Sequence, residues 1–170
     1  MNESKADSTK SYVAYDLETS GFFDDGGEFV EIGAVRVEDG EVTGEFSELC
    51  ALEGPMDPTA SRINHITDEM LEGRRPRSEV FSDFCDFVGD LPVLGFNNHH
   101  FDDEFIDREA ARAGKPSPTE NGSLDVRVIL GNHGSLAKWC DTYKIENDEA
   151  HRALSDAHAT RQLFGAARQK

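Results

Sequence analysis

Asp39-Gly40 lies between two apolar, partly alternating runs, Phe29 to Glu38 and Val42 to Ala51. An Asp-Gly pair takes left-handed backbone at both central positions of a turn at little cost, and that turn matches the twist of paired strands. The segment therefore predicts an antiparallel hairpin. A lone hairpin is marginal in water and needs a further strand or helix. Ser11 to Glu18 supplies a third strand, ending in Thr19-Ser20-Gly21.

Beyond the hairpin the period changes. Pro55 and Pro58 break the chain, and Thr59 to Leu71 reads as two short helical pieces. A helix begins near Pro76, with Val80, Phe81, Phe84, Phe87 and Val88 recurring along one face. Leu91 to Phe96 is an apolar strand, and Phe101 to Ala113 a helix stopped by Gly114. Leu124 to Val128 reads as a brief strand, and Leu136 to Tyr143 and Ala153 to Arg168 as the last helices. A hairpin followed by alternating strands and helices implies an α/β fold, a mixed sheet with helices on its faces. Residues 1–10 are polar and aperiodic, so a flexible tail is expected there and one domain over 11–170.

Charge limits what such a domain can bind. The 170 residues hold 34 Asp and Glu against 17 Lys and Arg, a net charge of −17. Long phosphate-gripping surfaces carry the opposite excess, because they work by counterion release. The acids read as a solvated surface, as adaptation to high salt, or in part as metal ligands. No apolar run nears the ~18 residues of a membrane span, and the first residues lack a signal peptide's apolar stretch. A membrane protein and a secreted precursor are therefore not expected. Cys50, Cys85 and Cys140 form no CxxC pair, which fits reduced thiols and a cytoplasmic location.

Chemistry-bearing residues stand at the ends of these elements. Asp16 and Glu18, two apart on a strand, point to one face and repel each other unless a cation lies between them. Thr19-Ser20-Gly21 follows, a turn of small residues able to offer backbone N–H groups to an oxyanion. Asp102 opens a helix just past the carboxyl end of a strand, where open α/β sheets place ligands, although a helix cap explains it equally. His151 and Asp156 are five apart, about 140° around a helix. They converge only if Asp156 lies in a first turn and His151 in the loop before it. A loop histidine suits a general base near neutral pH. Singly, each residue is explained by a surface or capping role. His100-Phe-Asp102 also has the H-x-D spacing of an iron facial triad, with His151 or His158 as third ligand.

Taken in order, the motifs resemble those of the DEDDh exonucleases of the ribonuclease H-like superfamily, which include bacterial proofreading exonuclease subunits such as that of DNA polymerase III. Asp16-Leu-Glu18-Thr-Ser-Gly21 is similar to their first motif, Asn98-His-His-Phe-Asp102 to the second and His151-x-x-x-x-Asp156 to the third. Ile63-Asn-His-Ile-Thr67 resembles an Ile-His-Gly-Ile-Thr segment, and Ser123-Leu-Asp125 a strand reading Ile-Asp-Thr. The tyrosine subclass would need Tyr where Arg152 stands.

The resemblance implies a ribonuclease H-like five-stranded mixed sheet, antiparallel hairpin first and parallel strands after. It implies two divalent ions, Mg²⁺ or Mn²⁺, with Asp16, Glu18 and Asp156 on one and Asp16 bridging to a second near Asp102. His151 would take a proton from the attacking water, releasing nucleoside 5′-monophosphates from single-stranded 3′ ends, DNA favoured over RNA. Thr19, Ser20 and Gly21 would touch the terminal nucleotide through backbone, Phe22 and Ile66 would pack on its base or sugar, and Asn98 would join them. Asn64, His65 and Asn97 depart from the family's usual residues. The residues themselves do not reveal a polymerase partner; a DNA polymerase subunit enters only through the resemblance. The chain ends soon after its last helix, which fits a stand-alone enzyme or an excised domain. The other class of reading is a module of the same fold that binds nucleic-acid ends or metal without turnover.

Overall fold

Asp39 and Gly40 both take left-handed backbone, with φ of 51° and 83°. The hairpin they close joins β2 (Phe29–Glu38) to β3 (Glu41–Leu49). The computed structural model describes residues 10–169, so the expected tail falls, except for Lys10, outside the described residues. β1 (Tyr12–Thr19) pairs antiparallel with β2, placing Asp16 opposite Gly33 and Glu18 opposite Glu31. β4 (Val93–Gly95) runs parallel to β1, and β5 (Ser123–Asp125) parallel to β4. The sheet order is β3-β2-β1-β4-β5.

The helices are α1 (Pro58–Asn64), α2 (Asp68–Leu71), α3 (Arg77–Val88), α4 (Asp102–Ala113), α5 (Val126–Ile129), α6 (Leu136–Tyr143) and α7 (Ala153–Ala167). The expected strand over Leu124 to Val128 is shorter than the sequence reads. It ends at Asp125, whose carboxylate accepts from the Arg127 backbone N–H and so starts α5. An N-cap acceptor outcompetes further pairing there.

Both sheet faces are covered, which is why the central strands are so apolar. Val13, Tyr15, Leu17 and Ile32 meet Phe81, Phe84, Phe105 and Ile106 of α3 and α4. Tyr12, Ala14, Val35 and Val37 meet Ala157, Leu163 and Phe164 of α7, with half-buried Trp139 and Tyr143 of α6 alongside. Strand period two therefore puts Asp16 and Glu18 on the α7 side of β1. Among the described residues no helix is long and apolar enough to cross a membrane.

The seat of α7 on β2 is very close. A Cβ built at Gly33 would lie 2.1 Å from the Leu154 nitrogen and 2.2 Å from the Ala153 carbonyl carbon, all of it backbone that cannot step aside. Gly33→Ala should therefore lower stability by at least about 1–3 kcal/mol, the usual cost of overpacking. Urea denaturation checks this, and an unchanged midpoint would mean that α7 is not seated on β2.

Candidate active site

Four of the five residues singled out for chemistry meet where β1 ends. Asp16 and Glu18 come from β1, and Asp156 from the first turn of α7. One carboxylate oxygen of each lies within 4.8 Å of the others. Asp156 is held by the Asn147 side-chain amide at 2.8 Å and by the His151 backbone N–H at 3.2 Å.

Asp102 reaches the site by a gap in the sheet. β4 pairs only with Val13 and Ala14 of β1, so the last part of that strand has an open edge. The start of α4 lies along it, and the Leu17 backbone N–H hydrogen-bonds the buried Asp102 carboxylate. The preceding loop is fixed by Asp125, which accepts from the Asn97 and His99 backbone N–H groups at 2.8 and 3.2 Å.

The electrostatics of this arrangement are unfavourable for a protein alone. Burial, then Asp102, Glu18, Asp156 and Glu31, push the Asp16 carboxyl well above the usual carboxylate range. Glu18 is raised to about 9 by burial and then by Asp156 and Asp102. Asp102 is raised by burial and by Asp103, and Asp156 by burial, with Asn147 working against it. One oxygen each of Asp16 and Asp102 is buried with no hydrogen-bond partner. Buried acceptors are seldom left so. A set of carboxylate oxygens, two of them orphaned, fits hard divalent cations.

His151 stands exposed in the loop before α7, with left-handed backbone at φ 67°. Its ring is near enough to Asp156 that a protonated imidazole holds that carboxyl down. The iron-triad spacing is not realised. The ligating cluster among the described residues contains only carboxylates, and His158 is turned to Glu45 of β3 at 2.8 Å.

Beside Glu18 a cleft of about 230 Å³ runs between the end of β1 and α1. Thr19, Gly21 and Phe22, three of the residues expected to contact substrate, line it together with Ile63 and Phe101. Three other expected substrate-binding residues sit elsewhere. Ile66 is fully buried in the core with Val30, Met56 and Leu71, whereas Ile63, on the outer face of α1, lines the cleft. Ser20 is buried, and its backbone N–H and carbonyl are taken up by Glu28 and Asp57. Asn98 is fully buried and donates to Asp103 and Ser123, so it braces the loop and does not face the cleft.

The departures at 64 and 65 have local causes. Asn64 donates to the Thr19 carbonyl at 3.1 Å and accepts from the Ile66 backbone N–H at 3.0 Å, tying α1 to the end of β1. His65 ends α1 with φ 60°, the left-handed position at which glycine is easiest. The sequence reading missed Ile63 and Glu31. The signal for Glu31 was present, an acid inside the apolar run Phe29-Val30-Glu31-Ile32.

A five-stranded mixed sheet, helices on both faces and carboxylates gathered at the end of its central strand define the ribonuclease H-like class. The sequence profile of the exonuclease family RNase_T matches residues 13–164, and the chain belongs to that family. It is 32% identical over 163 residues to the PolC-type DNA polymerase III of Staphylococcus haemolyticus, covering 91% of this chain and 11% of that protein. The same figures hold for the PolC-type enzyme of Staphylococcus aureus strain bovine RF122 / ET3-1. A structure of exonuclease I superposes with a TM-score of 0.82 at 19% identity, covering 95% of this chain and 41% of that one. The zinc-bound Escherichia coli exonuclease I complex with single-stranded DNA gives 0.80 at 20% identity, covering 94% and 40%. The chain thus spans about a tenth of these polymerases and about two fifths of these exonucleases.

The raised carboxyls fix a pH dependence. An acid whose pKa is higher folded than unfolded favours the folded state below its unfolded value, and that favour is lost as pH rises through its folded value. Metal-free protein should therefore lose stability between about pH 4.5 and about pH 9, the interval over which Glu18 is shifted. Added Mn²⁺ should raise the Tm, and by more at pH 8 than at pH 5, because ligation needs ionised carboxylates. Thermal melts with and without Mn²⁺ across this range check both signs.

Proposed function

We propose that the chain is a DEDDh-type exonuclease that hydrolyses phosphodiester bonds at the 3′ end of single-stranded nucleic acid, DNA in preference to RNA. The observation that carries this reading is the half-buried carboxylate cluster with orphaned oxygens in a chain of the exonuclease family. Asp16, Glu18, Asp102 and Asp156 would hold two divalent ions, Mg²⁺ or Mn²⁺. When bound, these supply positive charge that orients the phosphate and offsets charge growing on the attacking and departing oxygens.

The protein's own groups do the rest. Glu18 and the cleft beside it receive the terminal nucleotide, with Phe22 and Ile63, 68% and 53% exposed, offering apolar surface to base or sugar. His151 takes a proton from the attacking water, a role its exposure and place beside Asp156 support. The water oxygen bonds to phosphorus, and the bond to the 3′ oxygen of the preceding nucleotide breaks. That oxygen leaves as an alkoxide and takes its proton from solvent, and a nucleoside 5′-monophosphate is released.

A net charge of −17 is compatible with a polyanionic substrate if only the last nucleotides are held and the local acids are neutralised by cations. The single-stranded DNA in the exonuclease I complex supports the substrate class, and the PolC-type relatives support a working link to a polymerase. Three free cysteines support a cytoplasmic setting.

Incubation with a 5′-labelled oligonucleotide and Mn²⁺ should give a ladder of shortened products. Binding without shortening would instead favour a non-catalytic module. Asp156→Ala and His151→Ala should each lower kcat by about 10²–10⁴-fold with the fold retained. Near-normal rates for His151→Ala over pH 6–8 would remove the base assignment. Ile63→Ala should raise KM for the oligonucleotide and leave the Tm in place. Ile66→Val should do the reverse, costing about 0.5–1.5 kcal/mol of stability.

A further inference from the structure

The turn that carries His151 is fixed from two sides, and only one of them is a metal-ligating residue. On the first side Asp156 accepts from the His151 backbone N–H. On the second stands Glu31, from near the start of β2. It accepts from the Ala153 backbone N–H at 2.8 Å, from Arg152 Nη2 at 2.6 Å and from Arg152 Nε at 3.2 Å to both oxygens.

Glu31 is 2% exposed and lies directly across from Glu18 in the β1–β2 register. Like charges opposed on neighbouring strands repel, and a buried carboxylate needs a partner. The Arg152 guanidinium is that partner, gripping it as a fork. Among the described residues, the hydrogen bonds of the Glu31 carboxylate go to residues 152 and 153, immediately after His151. His151 itself holds φ 67°, a conformation disfavoured for a residue with a Cβ, which persists only where the surroundings over-determine it.

We propose that Glu31 and Arg152 form a clamp that positions His151 for proton transfer. They are positioning residues that act through His151, and neither touches substrate. This rests on reading His151 as the group that takes the proton. A planar fork bound to both carboxylate oxygens fixes the direction of the turn, which a single ammonium could not do.

The test uses the full chain, with Glu31→Gln and Arg152→Lys each made alone and combined with His151→Ala. Rates are read on a 5′-labelled oligonucleotide at saturating Mn²⁺, and Mn²⁺ affinity by electron paramagnetic resonance. Each clamp variant alone should lose about 10–100-fold in kcat, the usual cost of disturbing a group that orients a reactive side chain. KM should stay close to that of the unaltered protein, and for Arg152→Lys, which leaves the Glu31 charge and its cationic partner in place, so should Mn²⁺ affinity. In the His151→Ala background the same changes should cost less than about 3-fold more, because the group they position is gone.

Equal losses in both backgrounds would show a merely structural role and overturn the clamp, as would full kcat in the single variants. If Glu31→Gln fails to fold, Arg152→Lys, whose side chain is 42% exposed, carries the same comparison. A His151→Ala enzyme with full rate would defeat the base assignment, and the clamp with it. A slow His151→Ala enzyme with multiplicative clamp losses would defeat the clamp alone.

Discussion

The seating of the first turn of α7 on β2 is the contact on which the site depends. Gly33 has no side chain, so the helix backbone comes down onto the strand, and only at that depth does Asp156 reach Asp16 and Glu18. Two residues earlier on the same strand face, Glu31 binds the same turn through Arg152 and Ala153. Steric allowance and ionic attraction thus act together at one point. A methyl group at residue 33 would lift away the third motif while leaving every ligand in the sequence.

A second constraint comes from a missing length of strand. β4 covers only part of β1, and the uncovered edge is where the Leu17 N–H meets Asp102. Had β4 continued, that N–H would have gone to the sheet ladder and α4 would have begun further away. Asp125 holds the turn between β4 and α4 by its carboxylate, and Asn98, Ser123 and the Tyr15 hydroxyl enclose Asp103 just behind the ligating residue. The buried polar groups around Asp102 are therefore connected to one another, the arrangement in which a low-dielectric interior favours rigidity.

The acidic balance of the chain has a similar logic. Around Asp16, burial and then the neighbouring carboxylates push the carboxyl well above the usual range, a shift that a bound cation would oppose. Away from the site the opposite is seen. Glu28 is surrounded by Arg77, Arg108 and Arg112, and Glu109 by Arg77 and Arg112, so these acids are matched by fork-shaped cations. Arg108 also binds the Gly27 carbonyl, linking the loop before β2 to α4. Few cations are present, and several are spent on holding elements together.

Much was legible without coordinates. Asp39-Gly40 fixed the hairpin through its turn chemistry, and apolar spacing marked α3, α4 and α7, because these depend on neighbours a few residues apart. The period of two in a strand and the angle subtended by five helical residues also placed Asp16 and Glu18 on one face of a strand, His151 in a loop and Asp156 in the first turn of the helix after it. Sequence did not show that Ile66 lies in the core while Ile63 lines the cleft, because both sit in one short segment and which one faces outward depends on how α1 docks against β1. Ser20 and Asn98 were misjudged for a related reason, since their partners, Glu28, Asp57, Asp103 and Ser123, are not implied by local pattern. Sequence determined what is local, the elements and the chemical character of the residues at their ends. Tertiary structure alone decided which ends meet, how deep the carboxylates lie and which side chains the cleft exposes, because those follow from contacts between residues distant along the chain.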